Sequence, residues 1–391
     1  QGRDGRRRRP PAGGGGLSAN AQGAAEMEKY VVVKRIGTGS YGSAYLVRAK
    51  ADRSVQLVLK KIRLDNVSPK ERAAAHREVK LLSQLNHPNV LGYIDSFVHK
   101  NHLCIITEFC ESGDLYNSLK GRRKYLSEDE VLDIFIQICN ALHYIHQRRV
   151  LHRDLKTQNV FLTKEGVVKL GDFGIARVLN APVEMAMTVI GTPYYMSPEV
   201  MESKPYDFKS DMWSLGCVLY EMTSLKHAFD AQDMNGLVMK ILRGKFVPTP
   251  QQFSQELRSL IGHLLSKVPA KRPTLEQVLE LPVIKRRAES TNARVAERAA
   301  EQMARMEAAR ELLIKGGGGA PVARGAPRPA KEGAQADVAE RLRLERELRK
   351  EREHKESVDS NIRALQDRRR AGGKAGAPPP GGRPRPRRRT P

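Results

Sequence analysis

The stretch His152-Arg153-Asp154-Leu155-Lys156-Thr157-Gln158-Asn159 decides the reading of this chain. Its companion is Asp172-Phe173-Gly174, whose carboxylate follows Asp154 by 18 positions. Either string alone is usually a solvated turn. Both together, in this order and with Lys156 and Asn159 between them, are not explained that way. Working upstream, Gly37-Thr38-Gly39-Ser40-Tyr41-Gly42 separates the β-branched run Tyr30–Ile36 from a second strand-like run, Ser43–Ala49. A lone GxGxxG also opens dinucleotide-binding helices, but Ser43-Ala44-Tyr45-Leu46 reads as strand, which disfavours that fold. A third run, Ser54–Ile62, carries Val58-Leu59-Lys60.

Ser68-Pro69-Lys70-Glu71 has a Ser cap, Pro in the first turn and Glu three residues after the cap. It predicts a helix to about Leu85, broken by Asn86-His87-Pro88-Asn89. Leu103–Phe109 reads as another buried strand. Beyond Gly113 the period changes. Ser127-Glu128-Asp129-Glu130 is a second capping box, followed by Val131, Leu132, Phe135, Ile138, Leu142 and Ile145 at helical spacing. Trp213–Met222 and Leu257–Leu265 are further apolar helices. The fold class is therefore α+β, a small strand-rich lobe with one helix ahead of a larger, mainly helical lobe.

Composition places the folded part. Of 68 Lys and Arg and 44 Asp and Glu, 36 and 26 lie in Tyr30–Arg286, and the flanks hold the other 32 and 18. The formal charge of +24 is thus concentrated outside the apolar region, in Arg3, Arg6–Arg9, Arg368–Arg370, Arg383, Arg385 and Arg387–Arg389. Such runs attract polyanions, while their plainest reading is a solvated tail; nuclear import is a third use. Cys104, Cys110, Cys139 and Cys217 show no metal-ligand spacing and lie in strand or helix segments, which predicts reduced thiols in a cytoplasmic or nuclear setting. No stretch of eighteen apolar residues exists, so no segment is expected to span a membrane.

Together with Ser197-Pro198-Glu199, these motifs resemble the protein kinase superfamily from about Tyr30 to Arg287. The resemblance implies the two-lobed kinase fold and the cofactors ATP and Mg²⁺. It assigns Gly37, Gly39 and Gly42 to a loop whose backbone approaches the phosphates, and Lys60 to the α- and β-phosphates, held by Glu78 from the helix begun at Ser68. Asp154 would accept the substrate hydroxyl proton, Lys156 would steady the γ-phosphate, and Asn159 and Asp172 would hold Mg²⁺. Phe173 would pack beneath Leu82 and His152. The hinge would run through Glu108-Phe109-Cys110, with Thr107 as gatekeeper and Asp114 near the ribose. Glu199 would pair with Arg272, and Asp211 would brace the catalytic loop. Ala44 and Ser197 depart from the usual Val and Ala.

Lys156-Thr157 and Gly191-Thr192-Pro193-Tyr194-Tyr195 resemble serine/threonine rather than tyrosine kinases. Asp172–Asn180, Ile190–Glu199, Leu215–Met222 and Leu225-Lys226-His227-Ala228-Phe229 narrow the resemblance to the NIMA-related kinases. That implies protein Ser/Thr substrates and roles at microtubules, centrosomes or cilia, and in the cell cycle. Arg153 beside Asp154 implies regulation by an activation-loop phosphate, with Thr188 as its position and Thr192 as a rival of structural role.

The expected organisation is a disordered basic arm (1–29), the kinase domain (30–287), an Ala-rich helical segment (288–315), a flexible Gly/Pro/Ala linker (316–335), a charged helix (336–370) and a Pro/Arg-rich tail (371–391). The 336–370 segment reads as a solitary salt-bridged helix or as a coiled-coil homodimer seam. Two other function classes remain open at this stage: a kinase-fold scaffold without catalysis, and a polyanion-binding protein acting through its basic tails on microtubules or nucleic acid. The intact set Lys60, Glu78, Asp154, Asn159 and Asp172 argues against the scaffold.

Overall fold

The computed structural model describes residues 19–39, 42–65, 67–172 and 193–315, all within one structural unit, Gln1–Ala320. Ser40, Tyr41, Phe173, Gly174, Thr188 and Thr192, most of the basic arm, and the segments 316–335, 336–370 and 371–391 lie outside the described residues.

The small lobe is a five-stranded antiparallel sheet of order β1-β2-β3-β5-β4, made of β1 (Tyr30–Gly39), β2 (Gly42–Ala49), β3 (Gln56–Arg63), β4 (Tyr93–His99) and β5 (His102–Glu108). Alternate side chains bury Val47, Leu57, Leu59, Cys104 and Ile106 on one face. Ile62, Leu103 and Ile105 pack against Ala75 and Val79 of α2 (Pro69–Leu82). That helix begins as its capping box requires: Glu71 N–H donates to Ser68 Oγ, and Ser68 N–H donates to the Glu71 carboxylate. It ends at Leu82, three residues before the expected stop.

Composition suggests a disordered arm up to residue 29, but Ala19–Met27 forms a helix, α1. Gly23 brings it against the edge strand β4, where a Cβ would lie 1.8 Å from the Val98 carbonyl oxygen. The absent side chain permits that approach.

The large lobe holds α3 (Leu115–Leu119), α4 (Glu128–Gln147), the short hairpin β6 (Val160–Leu162) and β7 (Val168–Leu170), α5 (Pro198–Met201), α6 (Phe208–Ser224), α7 (Met234–Arg243), α8 (Gln255–Leu264) and α9 (Leu275–Leu279). Its core lies between α4 and α6, where Phe135, Ile138, Leu142, Trp213, Leu215 and Leu219 are buried. Apolar residues recur around most of α6, so no face of it is left to water.

The chain then enters α10 (Pro282–Lys315), a single helix of 34 residues. The expected boundary between 287 and 288 falls inside it. No Gly or Pro follows Pro282 within it to break the ladder. Nor is the 288–315 segment a separate element: α10 runs from α4 of the large lobe to the core of the small lobe, where Leu313 is buried.

Candidate active site

Two short loops hold the residues expected to carry the chemistry, and each holds a non-glycine residue in left-handed backbone: Arg153 (φ 66°) and Asp172 (φ 54°). That geometry costs on the order of 1 kcal/mol per residue and persists only where the surroundings enforce it. For Arg153 the enforcing group is Asp211 of α6, wholly buried. Its carboxylate accepts the N–H groups of His152 (2.9 Å) and Arg153 (3.1 Å), the His146 ring nitrogen (2.8 Å) and the Tyr206 hydroxyl. Burial pushes this carboxyl up, but these donors outweigh it and hold it below the usual range. The expected bracing role is therefore met.

His152 links the two loops. Burial drives its imidazole down and keeps the ring neutral, so Nε2–H donates to the Gly171 carbonyl (3.1 Å) while Nδ1 accepts the Asp154 N–H (3.3 Å). Asp154 itself is oriented from two sides. Its Oδ2 accepts Lys156 Nζ at 2.8 Å and the Asn159 amide at 2.9 Å, and the same amide donates to the Asp154 carbonyl at 2.7 Å. Asp154, Lys156 and Asn159 thus form one hydrogen-bonded cluster.

Lys60 reaches this region from β3, but not in the expected pair. Its Nζ donates to Asp172 Oδ1 at 2.8 Å, and Glu78 is not its partner. Glu78 is half-buried on α2, and its Oε2 has no hydrogen-bond partner. Burial raises its carboxyl, and the Arg153 charge offsets this only in part. The reason is competition for one cation. The left-handed turn at Asp172 aims that carboxylate at Lys60, while Glu78 remains under the influence of Arg153. Burial also pushes the Asp172 carboxyl up, yet Lys60 holds it below the usual range and ionised at neutral pH.

Asp172 and Asn159 offer carboxylate and amide oxygens, hard donors that suit Mg²⁺. Among the described residues no cluster of three or more His, Cys, Asp or Glu could hold a metal by itself. Two protein donors completed by phosphate and water oxygens is how Mg²⁺ is usually bound, so the residues fit the ion.

The hinge follows β5. The Thr107 hydroxyl donates to the Glu108 carbonyl at 3.3 Å. The Glu108 carboxylate is buried and engaged: Oε1 accepts Gly92 N–H (2.6 Å) and lies 3.2 Å from Lys169 Nζ, and Oε2 accepts the Gln302 amide (3.0 Å). The Glu108 side chain is thus fully engaged with protein groups, leaving only its main chain uncommitted by these contacts. Cys110 is buried, and desolvation raises its thiol well above the ordinary value. Asp114 caps α3 through the Asn117 N–H (2.8 Å).

Gly39 and Gly42 face each other across the ends of β1 and β2. Gly42 also has a structural cause, since a Cβ there would lie 1.8 Å from the Lys61 carbonyl oxygen. A Cβ at Gly37 would meet only Ala44 Cβ, at 3.8 Å. The Glu199–Arg272 pair is present at 2.7 Å, almost wholly buried, with Ser210 Oγ donating to the same carboxylate. Sequence reasoning missed the set of Thr157, Tyr195 and Glu221, in which the Tyr195 hydroxyl joins Thr157 Oγ1 (2.9 Å) to Glu221. It also missed Lys169, whose strand context gives no signal of a buried cation.

Residues 30–284 match the family described as "Protein kinase domain". The chain belongs to the protein kinase family. Its relatives narrow the kind. It is 50% identical over 264 residues to mouse (Mus musculus) "Serine/threonine-protein kinase Nek1", covering 67% of this chain and 22% of that protein. It is 51% identical over 265 residues to "Probable serine/threonine-protein kinase nek3" of Dictyostelium discoideum (66% and 24%). It is 47% identical over 260 residues to human (Homo sapiens) "Serine/threonine-protein kinase Nek5" (66% and 37%). The NIMA-related resemblance therefore holds for the kinase domain, and family membership implies use of ATP and Mg²⁺. The chain spans between about a fifth and two-fifths of the length of these relatives. No helix among the described residues is long and apolar enough to cross a membrane.

Proposed function

We propose that this chain is a serine/threonine protein kinase that transfers the γ-phosphate of ATP to protein hydroxyls. The observation that carries the reading is the cluster of Asp154, Lys156 and Asn159 beside the ionised Asp172–Lys60 pair. Asp154 accepts the proton of the incoming Ser or Thr hydroxyl, and the Asn159 amide fixes the carboxylate that does so. Lys156 places a positive charge where negative charge gathers on the moving group. Asp172 and Asn159 would hold Mg²⁺, and Lys60 would contact phosphate oxygens once it turns from Asp172. When bound, ATP supplies the phosphoryl group and Mg²⁺ neutralises its oxygens. The main chain at Glu108 and Cys110 would receive the adenine, and Gly37, Gly39 and Gly42 would cover the phosphates.

Activation follows from the carboxylate left over. Glu78 is under the influence of the Arg153 charge, and Lys60 is paired with Asp172. A phosphate on Thr188 would compete for the Arg153 guanidinium, freeing Glu78 to take Lys60 and Asp172 to take the metal. Cellular roles at microtubules, centrosomes or cilia, dimerisation through 336–370, and polyanion contact through the basic flanks belong to the same reading. A steep salt dependence of microtubule binding, lost on removing 371–391, would support the last.

The test is purified protein with Mg·ATP and a generic Ser/Thr substrate, beside Asp172→Ala, with phosphates mapped by mass spectrometry. Transfer that vanishes in the variant, with phosphate on Thr188 of the wild type, supports the proposal. A wild type as silent as the variant, even after Thr188 is phosphorylated by another kinase, overturns it in favour of a scaffold.

A further inference from the structure

Helix α10 touches four parts of the kinase domain in succession. Arg287 and Arg294 meet Asp133 of α4 at 2.8 and 2.6 Å, and the Thr291 hydroxyl donates to the same carboxylate at 2.6 Å. One turn on, Val295 and Ala299 bury Val167, and Arg298 donates to the Glu165 carbonyl at 2.6 Å, both at the β6–β7 turn. Next, Gln302 donates to the Glu108 carboxylate at the hinge. Finally Met306 lies against Gly92, Arg310 donates to the Tyr93 carbonyl of β4, and Leu313 enters the small-lobe core. From Arg287 to Leu313 is about 39 Å of helix.

A continuous helix has no pivot of its own. Anchored on both lobes, it makes any rotation between them shear one of these contacts. The hinge contact is the most sensitive, because Glu108 is a shared node. One carboxylate oxygen holds Gly92 N–H and Lys169, and the other holds Gln302. Removing the last donor leaves a buried carboxylate oxygen short of a partner at the residue whose main chain the proposed function assigns to the adenine.

We propose that α10 is an intramolecular strap that sets the opening between the lobes, and that Gln302 is a positioning residue acting on nucleotide affinity through Glu108. The proposal rests on the kinase reading for its effects on nucleotide affinity and turnover, but not for its effect on the hinge itself.

The experiment compares the full chain with Gln302→Glu, Gln302→Lys and Met306→Ala. It reads Mg·ADP binding by calorimetry, hydrogen exchange at Gly92 and at 108–110, and KM for ATP against kcat. Gln302→Glu keeps the side-chain size but sets a carboxylate against Glu108. It is expected to weaken Mg·ADP binding and raise KM for ATP about tenfold, with kcat within about twofold and faster hinge exchange. Gln302→Lys restores a donor and stays within about twofold of wild type. If Gln302→Glu fails to fold, Met306→Ala gives the same reading without adding charge, through faster exchange at Gly92 and the hinge. Equal damage from Glu and Lys overturns the role of the hydrogen bond. Wild-type binding and exchange in Gln302→Glu, or wild-type exchange in Met306→Ala where the former does not fold, overturns the strap. A wild type that binds Mg·ADP but transfers no phosphate counts against the kinase reading alone.

Discussion

Arg272 is an ion sealed into the large lobe, about 1% exposed, with its guanidinium stacked near Trp213 and its N–H groups on Glu199. Burial pushes the Glu199 carboxyl up, yet Arg272 and Ser210 hold it below the usual range. Removing one member of such a pair leaves the other charge without compensation. Arg272→Ala is therefore expected to cost about 3–5 kcal/mol in urea unfolding. Glu199→Gln combined with Arg272→Met should cost less than Arg272→Ala alone, because no uncompensated ion remains; an equal or larger loss would refute that cause. This pair, like Asp211, was legible from register with other kinases. The partner of Lys60 was not. Two carboxylates, Glu78 and Asp172, lie far apart in sequence, and the choice between them depends on the local backbone at Asp172 and the setting of α2.

Elements were legible where local chemistry is decisive. The boxes Ser68/Glu71 and Ser127/Glu130 both form as the sequence spells them. Helix α1 was hidden because its environment reads as a Gly-rich arm, and what fixes it is a partner strand. The docking of α10 was hidden as well: its inner stripe mixes Ala, Arg and Gln with few large apolar residues, and two of its contacts, from Arg298 and Arg310, run to backbone carbonyls. The glycine loop shows a related limit. The pattern GxGxxG treats its glycines alike, but their surroundings differ. Gly42→Ala must displace the Lys61 carbonyl of β3, and a loss of about 1–3 kcal/mol is expected in thermal or urea unfolding. Gly37→Ala meets only an ordinary contact, so its stability should stay within about 0.5 kcal/mol of wild type while KM for ATP rises. Equal destabilisation by both would contradict this division.

For the whole molecule, buried titratable groups set how stability depends on pH. Burial, helped by the charges of Lys169 and Arg148, drives the His87 imidazole down to about 4. Its Nδ1 accepts the Asn89 N–H at 3.0 Å, which requires that nitrogen to be unprotonated. His152 is lowered by burial as well. An unfolded histidine takes up its proton near pH 6.5. Unfolding between about pH 6.5 and 4 therefore binds protons, and stability falls as the pH falls through that window. Glu199, Asp211 and Asp133 are lowered despite burial, so their contribution is present above the ordinary carboxylate range and is lost below it. Glu78 and Asp95, raised by burial, act in the opposite sense. A comparison of variants therefore isolates the imidazole better than the wild-type slope alone. The urea midpoint of wild type should drop between pH 7 and 5, and His87→Asn, whose Oδ1 can still accept the Asn89 N–H, should drop less. Parallel curves for the two proteins across that range would show that His87 does not carry the upper stage of acid sensitivity.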